Sequence, residues 1–259
     1  MLGWLIRGLR QGRITTRYPP GAEAPPGGYR GRVAVLAPHG ASPEVAQLCP
    51  TGAIAVDADG RVALDRGRCI LCGECVLAAP ERFAFEPRYE TAARARPALV
   101  VGEAAPLASE PGRKPLGELA RALRRSIHVR HIDCGSDGSE EWEIQALWNP
   151  HYDIQRLGFF LTASPRHADV LLVTGGVTAP MRAPLERTWE VMPGPKALVA
   201  VGTDACSGGL AAGGGAVAGG VDRVLAVDVY VPGSPPAPIA ILHGLLVAVG
   251  LLDSVEVAA

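Results

Sequence analysis

The sequence predicts an α/β protein in two parts, a cysteine-bearing α+β module followed by a doubly wound parallel-sheet domain. Three observations predict it. Four of the six cysteines fall between residues 49 and 75. Short, continuous apolar runs recur after residue 126. Each run is followed by a loop of small or turn-forming residues. At 259 residues the chain holds one to two domains. Apolar residues make up 48% and charged residues 20%, with 25 basic against 26 acidic side chains. That balance excludes a disordered chain and a basic nucleic-acid binder.

The first element is a helix within residues 1–17, with Leu2, Leu5, Ile6 and Leu9 on one face and Trp4 beside them. Arg7, Arg10, Arg13 and Arg17 are interspersed. Such a basic amphipathic helix suits an anionic membrane surface, a partner's groove or its own domain. These arginines also argue against a secretory signal. The longest apolar run, residues 239–252, is broken by His243 and two glycines and is too short to span a membrane. A soluble protein on the cytoplasmic side is expected. Unevenly clustered cysteines point to metal chemistry in a reducing compartment rather than to disulfides.

Residues 104–115 (AAPLASEPGRKP) read as a linker, dividing the chain into residues 1–103 and 116–259. Beyond it, the pattern predicts a helix over 116–125 and strands over 127–132, 170–173, 197–201 and 224–229. A second helix is expected over 183–192, after Pro180. Strands without apolar alternation suit a parallel sheet covered on both faces. Ligands of such sheets sit beyond the carboxyl ends of the strands. The relevant loops are 133–136 (DCGS), 174–176 (TGG), 202–209 (GTDACSGG) and 232–236 (PGSPP).

The cysteines carry the chemistry. Cys69, Cys72 and Cys75 form a CxxCxxC run, and Cys49 precedes Pro50 upstream. Three thiolates at that spacing wrap one face of a cubane, and in two-cluster ferredoxins the cysteine before a proline serves the cluster of the other half. The expected ligand set is therefore Cys49, Cys69, Cys72 and Cys75 around one [4Fe–4S] cluster. A partner cluster would need a second CxxCxxC in residues 38–48 and a cysteine at Ala79, before Pro80; neither is there. Zinc also takes four thiolates, but this spacing favours iron–sulfur.

Residues 1–85, with the opening helix, the Thr16-Arg17-Tyr18-Pro19 step, CPTGAI and CILCGEC, resemble the ferredoxin-like subunit of membrane-bound hydrogenases and respiratory complex I. From His128 onward the chain resembles another subunit of the same complexes, the small, cluster-bearing, 20 kDa-type subunit of flavodoxin-like fold. The stretches that carry this likeness begin HVRHIDCGSDGSEEWE, ALVAVGTDACSGG and VDRVLAVDVYVPGSPPAP. The resemblance implies a fusion of the two subunits, with partners of two kinds: a hydrogenase large-subunit or complex I-like catalytic subunit, and membrane-arm subunits. It also implies peripheral contact through residues 1–17 on the cytoplasmic side of the inner membrane. Laid on that second family, the ligand pair falls on Asp137 and Glu140, the third ligand on Cys206 and the fourth on Ser234, with Cys134 nearby. Hard oxygen donors suit magnesium or calcium better than a cubane, so this second site is expected to be empty or to take another metal.

The remaining features carry less. Glu141 and Glu143 correspond to acidic residues beside the family's cluster, and also fit a solvated helix start. His128, His131 and His151 read as structural histidines. The glycine run 208–220 lacks both nucleotide-loop signatures and reads as close backbone packing or a flexible segment. The expected protein is a non-catalytic electron-transfer subunit in a hetero-oligomeric oxidoreductase. The alternative is a structural adaptor of an ion-coupled assembly, its cluster serving the fold. A flavin binder would rest on fold analogy alone.

Overall fold

The computed structural model describes residues 3–21, 23–104 and 126–253. The expected helix over 116–125 and nearly all of the expected linker lie outside them. Helix α1 (Gly3–Gln11) buries none of its residues, and Trp4 and Leu9 are 75% and 77% exposed. It ends well before Arg17. Gly12 turns left-handed (φ +63°), and the following backbone is drawn away by Thr16 N–H donating to His151 O at 2.8 Å.

The α+β module is two small antiparallel pairings around one apolar cluster. Strand β1 (Arg32–Val35) pairs with β4 (Phe83–Glu86). Strand β2 (Ile54–Val56) pairs with β3 (Val62–Asp65), which also receives β5 (Val100–Val101). Val33, Ile54, Val62, Leu64 and Phe83 bury their side chains between them, with helices α2 (Glu44–Gln47) and α3 (Glu74–Ala78) alongside. Cys49 follows α2, and Cys75 lies in α3.

The second part is a five-stranded parallel sheet of order β10-β9-β8-β6-β7, the doubly wound, flavodoxin-like arrangement. Its strands are β6 (Ile127–Asp133), β7 (Phe159–Leu161), β8 (Val170–Thr174), β9 (Ala197–Val201) and β10 (Val229–Val231). Every residue of β8 and β9 is buried, which accounts for their unbroken apolar sequence. Two expected elements are shifted. The last strand starts at Val229, not 224, because Val221–Arg223 forms a 3₁₀ turn and Leu225 N–H closes on Val221 O. Asp228 then enters the edge with its side chain, whose Oδ2 accepts from Leu198 N–H at 2.8 Å. Helix α5 (Ala179–Val191) begins before Pro180, whose missing N–H has no partner to lose in a first turn, and it continues through Pro184.

Three further α-helices of the second part lie among the described residues: α4 (Ser139–Ala146), α6 (Thr203–Ser207) and α7 (Pro238–Ala248). Every residue of α7 is buried, which is why the 239–252 run is so apolar. Among the described residues no helix is long and apolar enough to cross a membrane.

The bond from Thr16 to His151 is one of several that join the two parts, and more follow from residue 92 onward. Ala92 N–H donates to His243 Nδ1 at 3.3 Å, and Ala93 and Tyr230 exchange backbone hydrogen bonds of 2.9 and 2.8 Å. Arg96 is the strongest tie. Its two terminal nitrogens grip Asp65 at 2.8 and 2.7 Å, while Nε donates to Cys206 O at 3.1 Å. Both side chains are about four-fifths buried, so this bidentate pair is weakly screened. Arg96→Met should lower stability by about 2–4 kcal/mol, read as a fall in the thermal midpoint. A midpoint equal to that of the unsubstituted chain would contradict this role.

Candidate metal centre

The loop between β3 and α3 carries Cys69 and Cys72, with Cys75 in the first turn of α3, and its shape depends on two left-handed residues. Leu71 (φ +56°) and Gly73 (φ +89°) reverse the chain so that it wraps instead of extending. A Cβ on Gly73 would lie 3.0 Å from the Phe85 ring, so the loop also sits tightly on β4. Arg30 holds it from outside, donating through one terminal nitrogen to Leu71 O and to Cys72 O at 2.9 Å. Cys49, just after α2, packs against the same apolar cluster as Cys69.

The four sulfurs share one electrostatic neighbourhood. Cys69 senses Cys75, Cys49 and Cys72, and Cys75 senses Cys72 and Cys49. Backbone amides are aimed at them: Ala53 N–H donates to Cys49 Sγ at 3.2 Å, Leu71 N–H serves Cys69, and Val76 N–H serves Cys75. Burial pushes the Cys69 thiol up to about 11 and raises that of Cys75. Without a bound cation, therefore, both keep their protons. Among the described residues, no group of three or more His, Cys, Asp and Glu side chains converges closely enough to hold a metal ion. The donor chemistry nevertheless fits an iron–sulfur group: four thiols, with amides that stabilise thiolate charge.

The second expected site lies at the carboxyl edge of the sheet, in the loops after β6, β9 and β10. The structure brings Asp137 and Glu140 together but removes both cysteines. Cys134 and Cys206 point into the apolar cluster of Leu171, Val173 and Leu198, where burial lifts each thiol to about 12. Cys206 Sγ faces Ala200 O at 4.0 Å, with Arg96, Asp65 and Asp222 as its charged neighbours.

The side chain beside Glu140 is Asp204. Two residues apart on α6, Asp204 and Cys206 project to opposite faces, and it is Asp204 that senses Asp137. Helical phase is the signal in the sequence that marks Asp204, which the family resemblance does not name. The exposed Ser234 lines a separate cleft with Arg30 and Cys72. Its loop is tied to α6 by Thr203 N–H donating to Gly233 O at 2.7 Å.

This second donor set does not fit a cubane. Asp137 is ionised readily because Ser139 donates to it from both Oγ (2.6 Å) and N–H (2.9 Å). Glu140 is only 2% exposed and packs on Gly202, where a Cβ would fall 2.3 Å from its Oε1. Burial, and then the Asp204 and Asp137 charges, push the Glu140 carboxyl up to about 7; burial raises Asp204 as well. Oxygen donors of this kind are hard, and iron–sulfur clusters want thiolates.

Neighbouring polar groups are absorbed by structure. Glu141 accepts from Thr174 Oγ1 and from Ser136 Oγ at 2.6 Å, and His131 Nε2 lies 3.0 Å from Thr174 Oγ1. His128 stands 3.7 Å from Asp169, and His151 3.1 Å from Glu23. The crevice between the β6 and β8 loops is filled by backbone: a Cβ on Gly175 would sit 2.5 Å from Ser136 N. The glycine run packs against its neighbours by backbone, with Ala218 N–H donating to Val177 O at 2.9 Å.

Known proteins match the part that holds this second site. The profile of the family described as "NADH ubiquinone oxidoreductase, 20 Kd subunit" covers residues 137–248. The probable membrane-bound hydrogenase subunit mbhJ of Pyrococcus furiosus is 40% identical over 135 residues, 52% of this chain and 81% of that protein. The chain belongs to the 20 kDa subunit family. Formate hydrogenlyase subunit 7 of Escherichia coli is 44% identical over 135 residues, and there the match spans only 53% of the relative's length. A chain from the structure of an archaeal membrane-bound sulfane sulfur reductase aligns with a TM-score of 0.45 and 27% identity, over 53% of this chain and 79% of that one.

Glu140 gives this 20 kDa-family domain a pH signature. Its folded-state value stands above the ordinary 4.5, so the native state keeps a proton that the unfolded chain has already lost. Stability therefore declines as pH rises from 4.5 to about 7 and then levels off. Glu140→Gln should raise the thermal midpoint by a few degrees at about pH 8 and leave it unchanged near pH 4. An equal effect at both pH values would contradict a buried, proton-holding carboxyl.

Proposed function

We propose that the chain is an iron–sulfur electron-transfer subunit of a membrane-associated oxidoreductase complex, of the hydrogenase or complex I type. In this reading Cys49, Cys69, Cys72 and Cys75 hold one [4Fe–4S] group, and the site at the sheet edge holds none. A fusion accounts for the two parts: a ferredoxin-like module over residues 1–103 and a 20 kDa-family domain over residues 116–259. The observation that carries it is the contrast between the two donor sets. One presents four thiols with amide donors aimed at sulfur; the other presents Asp137, Glu140 and Asp204.

A bound cluster would supply one-electron transfer. The chain's own residues would hold and shape it: the amides of Ala53, Leu71 and Val76 favour thiolate charge, and Arg30 fixes the carbonyls of Leu71 and Cys72. Family membership and the names of the two relatives support a place in a multi-subunit assembly. The partners would then be a large catalytic-type subunit and membrane-arm subunits. Residues 1–17 would make the peripheral membrane contact, on the cytoplasmic face. The exposed apolar face of α1, set among Arg7 and Arg10, supports that placement.

A second reading is favoured by the loss of soft donors at the sheet edge. With no cluster there, the chain would act as a structural adaptor, its remaining cluster stabilising the module. Iron and sulfide counting on the purified chain, with low-temperature electron paramagnetic resonance, decides between them. The proposal expects about four irons per chain and a reversible reduced-state signal. Cys69→Ala should abolish both, and Cys206→Ala should change neither. About eight irons would overturn the one-cluster reading, and four irons that no reductant can reach would favour the adaptor.

A further inference from the structure

The cysteine loop is bordered by more arginines than its carboxylates can neutralise. On the β1/β4 side, Glu86 is shared by Arg32 at 2.7 Å and Arg88 at 2.5 Å. On the β3 side, Asp65 is taken by Arg96 at 2.7 Å, with Arg68 at 3.9 Å. Arg66 lies between these two groups. Its Nε donates to a backbone carbonyl, Val33 O, at 3.3 Å, and it forms no salt bridge with a described carboxylate. It is half-buried, and burial together with the Arg32 charge pushes its guanidinium down to about 10; Glu86 and Cys69 act in the opposite direction. With no described carboxylate bonded to it, its charge is available to act on a further anion in reach.

The geometry says on which side that anion lies. Arg66 and Cys69 line one small cavity together with Arg32, Leu71 and Thr91. Its volume is 10 Å³, room for about one water and too little for phosphate or a carboxylate ligand. In its wall, Thr91 Oγ1 is buried without a hydrogen-bond partner. Arg66 thus shares this space with the group that Cys69 would carry. A cubane on four thiolates is an anion, and it gains one more negative charge on reduction.

We propose that Arg66 is the fixed counter-charge of the Cys49/Cys69/Cys72/Cys75 cluster, acting through Cys69 as a positioning residue that raises the cluster's reduction potential; this rests on the cluster reading above. The positive charge attracts the reduced form more strongly than the oxidised one, so its removal lowers the potential.

The test is a dithionite titration of the full chain with its cluster, followed by electron paramagnetic resonance at low salt. Arg66→Met should shift the reduction equilibrium about tenfold toward the oxidised form, equal to about 60 mV for one electron. Arg66→Lys should titrate close to the unsubstituted chain, and so should Arg88→Met, whose side chain is 65% exposed. Iron retained in Arg66→Lys but not in Arg66→Met also supports the charge requirement. An unchanged potential in Arg66→Met, or an equal shift in Arg66→Lys, would overturn the assignment while leaving the cluster in place. An unsubstituted chain that takes up no iron would overturn the cluster reading itself.

Discussion

The structure depends on the ties that hold the carboxyl edge of the parallel sheet against the cysteine loop. Arg96 joins Asp65, at the end of β3, to the Cys206 carbonyl on α6. Thr203, at the start of the same helix, places Oγ1 within 3.0 Å of Cys69 O and 3.1 Å of Gly233 O. One short helix therefore touches both the loop of the expected cluster and the loop of Ser234. Separating the two parts would open this edge to water and leave Asp65 and Arg96 without each other.

This junction gives the second site its meaning. In an electron-carrying arrangement, a cluster at Asp137, Glu140 and Asp204 would sit just across α6 from the thiols. The chain sets three carboxyls there, of which the buried one, Glu140, holds its proton near neutral pH. A protonated carboxyl can donate a hydrogen bond but cannot carry an electron. The loops are held by backbone contact at Gly175, by the Glu140 side chain packed on Gly202 and by Thr203 N–H to Gly233 O.

Much of this was legible in the amino-acid order. Spacing alone grouped Cys49 with Cys69, Cys72 and Cys75, because cysteine-proline and CxxCxxC patterns encode one wrapping of the chain. The β8 and β9 runs announced themselves because both faces are covered. What could not be read was direction. The family resemblance puts a ligand at Cys206; in the structure helical phase turns that side chain into the apolar cluster and presents Asp204. The edge of β10 was misplaced because Val224 and Leu225 are apolar for packing, while Asp228 supplies the pairing with its side chain. The early start of α5 and the short reach of α1 were set by Pro180 and Gly12, residues whose effect depends on position within a turn. Arg66 carries no motif, and only its unpaired setting draws attention to it.

The most direct measurement is anomalous scattering at the iron edge, from crystals of the full chain grown without oxygen. The account predicts a single strong peak enclosed by the sulfurs of Cys49, Cys69, Cys72 and Cys75, and none among Asp137, Glu140 and Asp204. A peak among those carboxylates, or none beside the four sulfurs, would contradict it.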